Sequence, residues 1–270
     1  MPLAVCATPI GNLDDVTLRV LAELRDADVV LCEDTRRTRI LLDRHGIEAR
    51  LLSYHRHSEA ARADEVLGRL GRGERVALVS DAGLPGVNDP GSRLIRAAAE
   101  AGLDVTVLPG ASSVETALVA SGLAGNGYRF VGYLPRRAGE LGDLVREIAR
   151  WPEAVVAFES PRRLPTSLVA LAEAMPERPA AVCRELTKRF EEVVRGTLQE
   201  LSAKFAEPAK GEVTVVIGAK AGGPPVSDAL EEALVAVAEL VAAGVPRRKA
   251  AEVVAGLTGT SKNALYRRSL

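Results

Sequence analysis

Two short apolar runs in this chain, 75–80 and 104–108, each end in a turn rich in glycine and proline that leads into a helix-like segment. That arrangement places a site at the carboxyl ends of parallel strands. The first turn carries a carboxylate, Asp81, where a phosphate-binding loop would carry lysine; the second carries two hydroxyls, Ser112 and Ser113, at an expected helix N-terminus. Such a set suits a nucleoside bearing hydroxyl and ammonium groups better than a polyphosphate, and S-adenosylmethionine has that chemistry. A further turn, Thr8-Pro9-Ile10-Gly11-Asn12-Leu13, follows the first apolar run. It is a place where nucleotide-binding folds hold a ligand, and equally a plain structural turn. Its spacing is not G-x-G-x-x-G, and G-x-x-x-x-G-K-[ST] occurs nowhere, which argues against a dinucleotide enzyme and a P-loop NTPase.

Charged groups gather after the neighbouring runs. Glu33-Asp34-Thr35-Arg36-Arg37 follows residues 28–32, where the acids either bind substrate or cap the next helix through Asp34 or Thr35. Arginines in a first helical turn oppose the helix dipole, which favours a functional reading. Tyr54-His55-Arg56-His57 follows the run near 50–53 and is either a substrate contact at His55 or a solvated loop. A His-x-His pair without a third ligand is a poor metal site, so no metal is expected.

Strand-like runs at 3–7, 28–32, 50–53, 75–80 and 104–108 alternate with helix-like segments at 15–26, 35–45, 58–71 and 90–102, and another from Pro109 to about Gly122. Alternation of this kind predicts parallel strands with helical crossovers. Strands at 129–133, 154–158, 179–184, 190–196 and 212–218, with helices at 137–150, 161–175 and 197–206, predict a second α/β domain. The turn at Leu186-Thr187-Lys188 predicts a hairpin and hence a mixed sheet. The expected domains are 1–120, 121–222 and a helical appendage at 225–270, after the linker Ala221-Gly222-Gly223-Pro224-Pro225.

The chain has 270 residues and a net charge of −1, so a polyanionic partner needs a local basic patch rather than a global field. It holds 29 arginines against six lysines, for which genome-wide codon bias is a simpler account than phosphate recognition. Aromatics make up 3%, leaving few platforms for base stacking. Cys6, Cys32 and Cys183 sit in or beside apolar runs without metal spacing and read as buried thiols in a reducing cytosol. With no signal-like N-terminus and no long apolar span, a cytoplasmic protein without a membrane partner is expected.

Several motifs occur in an order that resembles the tetrapyrrole-methylase superfamily. They are Ala7-Thr8-Pro9-Ile10-Gly11-Asn12-Leu13, Glu33-Asp34-Thr35-Arg36, Ser80-Asp81-Ala82-Gly83, Asp89-Pro90-Gly91 and Pro109-Gly110-Ala111-Ser112. Phe130-Val131-Gly132-Tyr133-Leu134-Pro135-Arg136, Phe158-Glu159-Ser160-Pro161-Arg162-Arg163 and Arg184-Glu185-Leu186-Thr187-Lys188 extend the likeness, which is greatest to the branch that methylates ribosomal RNA. The resemblance covers essentially the whole chain. It implies two α/β domains with S-adenosylmethionine between them, no metal requirement, a homodimer, and cofactor contacts at Pro9, Ile10, Gly11, Asp81, Gly83, Leu84, Ser112, Ser113 and Phe158. Position 84 is commonly threonine in the family; a backbone contact there would be indifferent to leucine. The acceptor implied is the 2′-hydroxyl of a cytidine in the decoding region of 16S ribosomal RNA.

A neutral 2′-hydroxyl is a poor nucleophile, so a group must take its proton or stabilise the alkoxide. Glu33, Asp34, Glu159, Glu185 and Lys188 are candidates that the residues alone do not separate. Arg36, Arg162, Arg163 and Arg184 have the forked geometry for phosphates. The tail adds Arg247, Arg248, Lys249 and Lys262 in a pattern of helix 247–256, turn 257–260 and helix 261–269, which resembles a small helix-turn-helix. A ribosomal RNA or small-subunit partner follows. Two competing readings are a methyltransferase acting on a corrin or porphyrin precursor, and a non-enzymatic nucleic-acid-binding protein with an α/β ligand sensor.

Overall fold

A computed structural model describes residues 3–55, 59–220 and 226–269. The chain divides into two compact units, 1–219 and 220–270. The linker at 221–225 and His57 lie outside the described residues.

Unit one holds two five-stranded sheets. The first is fully parallel, with strands β1 (Leu3–Cys6), β2 (Val29–Cys32), β3 (Leu51–Ser53), β4 (Val76–Val79) and β5 (Val105–Leu108) in the order β3-β2-β4-β1-β5. Strands buried on both faces read as continuous apolar runs, and β1, β2 and β4 do. Alternate side chains serve two cores. Leu3, Val5, Val29, Leu31, Val76 and Leu78 face helices α3 (Glu59–Gly71) and α4 (Ser92–Glu100). Ala4, Cys6, Val30, Cys32, Ala77 and Val79 face α1 (Leu18–Asp26) and α2 (Thr35–Arg44). All three cysteines are buried, and desolvation pushes the thiols of Cys6 and Cys183 up to about 12 and about 11.

The second sheet is mixed, as the hairpin predicts. Strands β6 (Tyr128–Tyr133), β7 (Ala154–Glu159), β8 (Pro179–Arg184), β9 (Glu192–Thr197) and β10 (Val213–Ile217) lie in the order β6-β7-β10-β8-β9, and only the β6–β7 pair is parallel. Helices α6 (Ala138–Ile148), α7 (Leu164–Ala174) and α8 (Leu198–Lys204) cover one face. The other face receives α5 (Ser113–Ser121), through Val114, Ala117 and Leu118, together with Ile10 from the first sheet's leading turn. A single apolar cluster therefore joins the two sheets.

Several helix starts, those of α1, α4, α5 and α7 among them, fall later than the sequence predicts, and two have a local cause. A 3-10 turn at Leu13–Asp15 precedes α1, whose cap is Thr17, accepting from the Val20 amide at 3.2 Å. The segment after β7 turns once before α7, because the Glu159 carboxylate takes the Ser160 amide at 2.6 Å.

Unit two comprises α9 (Val226–Ala242), α10 (Arg247–Thr258) and α11 (Lys262–Arg268) around Ala233, Val237, Ala250, Ala251, Val254 and Leu265. Gly259 ends α10 at φ 70°, and Ser261 caps α11, as its position predicts. No described helix is long and apolar enough to cross a membrane.

Candidate active site

Every strand of the first sheet delivers its following turn to one edge. From β1 the chain leaves toward β2, and from β4 it leaves toward β5, so connection direction reverses between these two neighbouring strands. Open α/β sheets bind ligands at such a reversal. The two turns are clasped there. Thr8 and Gly83 exchange backbone hydrogen bonds at 2.8 and 3.0 Å, and Thr8 Oγ1 donates to the Ser80 carbonyl at 3.0 Å. Gly83 has φ 77°, a conformation that a side chain would strain.

Asp81 emerges from this clasp with its side chain one-quarter exposed. Its Oδ1 accepts the Asp34 amide at 3.1 Å, and Oδ2 lies 3.5 Å from the Arg37 guanidinium. Leu84 packs into the first sheet's core, so what it offers a ligand is backbone. At the β5 end Ser112 precedes α5, and its hydroxyl donates to the Glu115 carboxylate, which also accepts from Tyr128 at 2.5 Å. Ser113 is the first residue of α5. Pro9 and Ile10 are buried, and Ile10 shares its cluster with Phe158. Phe158 meets Phe130 and Tyr133 edge-on, with ring centroids at 4.9 and 5.5 Å.

At Gly11 the β1 turn comes tight against the loop from β8 to β9. A Cβ there would lie 2.5 Å from Lys188 Cγ, 2.7 Å from Thr187 Oγ1 and 2.8 Å from the Leu186 carbonyl, so only glycine allows the contact. The Asn12 amide donates to Thr187 Oγ1 at 2.9 Å. The structure thus brings the β1 turn, a cofactor candidate, against the loop that carries Glu185 and Lys188.

The charged candidates fall into different surroundings. Asp34 caps α2 by accepting the Arg36 amide at 2.9 Å and also holds the Arg36 guanidinium, with Nη2 at 2.7 Å. That guanidinium draws the Asp34 carboxyl down to about 2, so Asp34 is a feeble proton acceptor at neutral pH. Glu159 is buried and accepts from the Ser160 amide, from Ser167 and from Arg163 Nη2 at 2.7 Å. Arg163 also donates to the Leu134 carbonyl at 2.7 Å, so this pair ties β7, α7 and the end of β6 together. Arg184 is held by Glu192 at 2.8 Å and by the Lys210 carbonyl at 2.6 Å. Arg162 is exposed, and no described carboxylate pairs with it.

Lys188 sits between Glu185 at 3.0 Å and Glu212 at 3.1 Å. Partial burial works against its charge, but the two carboxylates outweigh that and keep it an ammonium. The Glu212 amide and Lys188 hold the Glu185 carboxyl below its ordinary range. Glu185 and Thr187 are non-glycine residues at φ 49° and 65°, the kind of backbone strain that collects at functional loops. Glu33 and His55 are half-buried at the carboxyl ends of β2 and β3.

Asp89 and Tyr133 stand in the motifs without a role assigned to them, and Glu212 lies outside every motif. Burial and the negative charges of Glu212, Asp89 and Glu159 raise the Tyr133 phenol, so charge from the start of β10, the β4–α4 turn and β7 reaches one side chain of β6. Their clustering depends on sheet order, which no local motif encodes. Among the described residues no cluster of ligands could hold a metal.

Residues 2–202 match the family described as tetrapyrrole (corrin/porphyrin) methylases, and residues 228–270 match the domain described as the RsmI C-terminal HTH domain. A ribosomal RNA small subunit methyltransferase I from Mesorhizobium japonicum is 45% identical over 99% of this chain and 91% of its own length. The chain belongs to the ribosomal RNA small subunit methyltransferase I family. It shares 41% identity with the family member from Neisseria meningitidis, over 98% of this chain and 91% of that protein. Membership makes it a methyltransferase. Solved structures agree on the fold of this family. The methyltransferase CobJ superposes with a TM-score of 0.63 at 23% identity, over 83% of this chain and 96% of that one. A uroporphyrin-III C-methyltransferase from Thermus thermophilus, complexed with S-adenosylhomocysteine, superposes at 0.57 and 20% identity, over 81% of this chain and 97% of its own.

Proposed function

We propose that this chain transfers a methyl group from S-adenosylmethionine to the 2′-hydroxyl of a cytidine in the decoding region of 16S ribosomal RNA, as a cytoplasmic homodimer. The observation that carries the acceptor is the second unit. CobJ and its like are covered almost end to end yet leave about a sixth of this chain over, and the domain matched at 228–270 is helical, with all its basic residues gathered from Arg247 onward. There Arg247, Arg248 and Lys249 crowd the first turn of α10, where the dipole disfavours cations. Lys249 and Lys262 are both spent on Glu252, at 3.0 and 2.8 Å. No described carboxylate pairs with Arg247 or Arg248, which supports a phosphate-facing role for them.

The donor set around Asp81 fits the cofactor. A carboxylate suits ribose hydroxyls or an ammonium, the Gly83–Leu84 backbone and the Ser112–Ser113 turn offer polar atoms, and Ile10 and Phe158 offer apolar surface. When bound, S-adenosylmethionine supplies an electrophilic methyl on a sulfonium. The chain's own work is then positioning and charge control, because an in-line displacement gains much from orientation. Lys188, kept as an ammonium beside the β1 turn, stabilises the alkoxide that develops as the acceptor hydroxyl passes its proton to water and S-adenosylhomocysteine leaves. Arg162 and the exposed Arg36 hold phosphates of the acceptor strand, with Arg184 and His55 at the rim.

One assay tests the reading. Labelled S-adenosylmethionine is offered with assembled small subunit, naked 16S ribosomal RNA or a corrin precursor, and the modified nucleotide is mapped. Label in a cytidine ribose supports the reading. Label only in the corrin, or on a base, overturns it. Gel filtration with light scattering checks the dimer.

A further inference from the structure

A second ligand position stands beside the first. The loop from β8 to β9 is braced at every step. The Lys188 amide donates to the Glu185 carbonyl at 3.0 Å, the Glu191 amide to the Lys188 carbonyl at 3.1 Å, and the Thr187 amide to the Glu191 carboxylate at 2.5 Å. With Thr187 also accepting from Asn12, the loop is fixed to the β1 turn. Yet its crest presents an apolar ring to water. Phe190 is 70% exposed, whereas Phe130, Phe158 and Phe205 all pack into cores. The Arg189 guanidinium lies 5.5 Å from the Phe190 ring centroid, and no described carboxylate forms an ion pair with it.

Next to this crest is a cavity of about 520 Å³, floored by Gly11 and Asn12 and walled by Arg44, Thr187, Lys188 and Arg189. Arg44 is bound to Asp14 at 3.0 Å, and Lys188, bridged by two carboxylates, is the residue assigned to the acceptor hydroxyl, which leaves Arg189 as the wall cation for a neighbouring phosphate. A rigidly held, solvent-facing aromatic next to an unneutralised arginine is how single-stranded nucleic acid is gripped, base on ring and phosphate on guanidinium.

We propose that the β8–β9 crest is a clamp for one nucleotide flanking the methyl acceptor, with its base stacked on Phe190 and its phosphate on Arg189. The sugar lies toward the cavity under Arg44. The clamp rests on the RNA-methylation reading above, and it accounts for the cost of keeping Phe190 in water on a braced loop.

The test compares full-length wild type with Phe190→Ala, Phe190→Trp, Phe190→Leu and Arg189→Ala, using methyl transfer to small subunit or 16S RNA and calorimetry with S-adenosylhomocysteine. Phe190→Ala should raise KM for RNA roughly tenfold while kcat and S-adenosylhomocysteine affinity stay put, because stacking serves binding. Tryptophan should restore KM and leucine should not, which separates a stacking platform from a packing residue. Arg189→Ala should lower the slope of log affinity against log salt by about one. Unchanged KM in both alanine variants, rescue by leucine, weaker S-adenosylhomocysteine binding, or a shift in oligomeric state would each overturn the clamp. A wild type that methylates no RNA would remove the underlying reading and show itself before any variant is compared.

Discussion

The two sheets of unit one end in turns of opposite character. Around the first sheet, backbone clasps the turns together, through Thr8 with Gly83 and through the Asp34 amide on Asp81, and the side-chain pairs there, Asp34 with Arg36 and the longer Asp81 with Arg37, stay partly exposed. Around the second, side chains neutralise one another: Glu159 with Arg163, Arg184 with Glu192, Lys188 with Glu185 and Glu212. Backbone-built turns leave functional groups available to a ligand, whereas ion-paired turns fix the scaffold and release charge only where one partner is outnumbered. Strand-end charge is thus a poor guide to function until its partners are known.

The contrast breaks first at Asp81. Replacing it with alanine should weaken S-adenosylhomocysteine binding by about a hundredfold or more, the scale of a charge-assisted pair of bonds. Melting should fall only slightly, since the bond from the Asp34 amide and a long, exposed pair with Arg37 are what is lost. Near-native affinity by calorimetry would move the donor site elsewhere. Lys188→Met is the matching change on the second sheet. Here kcat should drop about a hundredfold, with donor affinity preserved. A variant with normal turnover would return Lys188 to the scaffold.

Glu159→Ala should act on stability instead. Breaking a buried pair leaves Arg163 uncompensated, a cost of about 3 kcal/mol, or a melting point lower by about 10 °C. Donor affinity measured well below that melting point should be unchanged, and a large loss of affinity would place Glu159 among the ligand groups. In unit two, Arg247→Gln with Arg248→Gln should weaken RNA binding several-fold and flatten its salt dependence by about two. Equal binding at physiological salt would make unit two a packing module.

The smallest effect concerns pH. Lys262 and Lys249 hold the exposed Glu252 carboxyl down to about 2. A carboxyl whose folded value is depressed contributes above its unfolded value and loses that contribution as pH falls toward 2. Helicity of unit two should therefore decline between roughly pH 4.3 and 2, and Glu252→Gln should flatten that decline.

Strand positions in the first sheet were legible because strands buried on both faces must be apolar throughout. Residues 75–80 are predicted and Val76–Val79 is found, whereas the partly exposed edge strand Val105–Leu108 was legible from the β-branched run within 104–108. Caps were legible too, since Asp34 and Ser261 act through their own neighbours. Nothing local encodes that α5, which follows the first sheet in sequence, packs on the second. For the same reason the charged motifs after β7 and β8 looked alike as strings. Partners 4 positions away for Glu159 and 24 for Lys188 help decide that Glu159 is buried while Lys188 faces the β1 turn.

The hydrogen bond from the Asn12 amide to Thr187 Oγ1 has a thermodynamic reach beyond its own strength. It spans the turn that would meet the donor and the loop that would meet the acceptor, so ordering one end restricts the other. Coupling of that kind is reciprocal. The factor by which S-adenosylhomocysteine changes affinity for RNA must equal the factor by which RNA changes affinity for S-adenosylhomocysteine. A Thr187→Val chain, keeping the shape and losing the acceptor, should shrink both factors together and draw the two binding events toward independence.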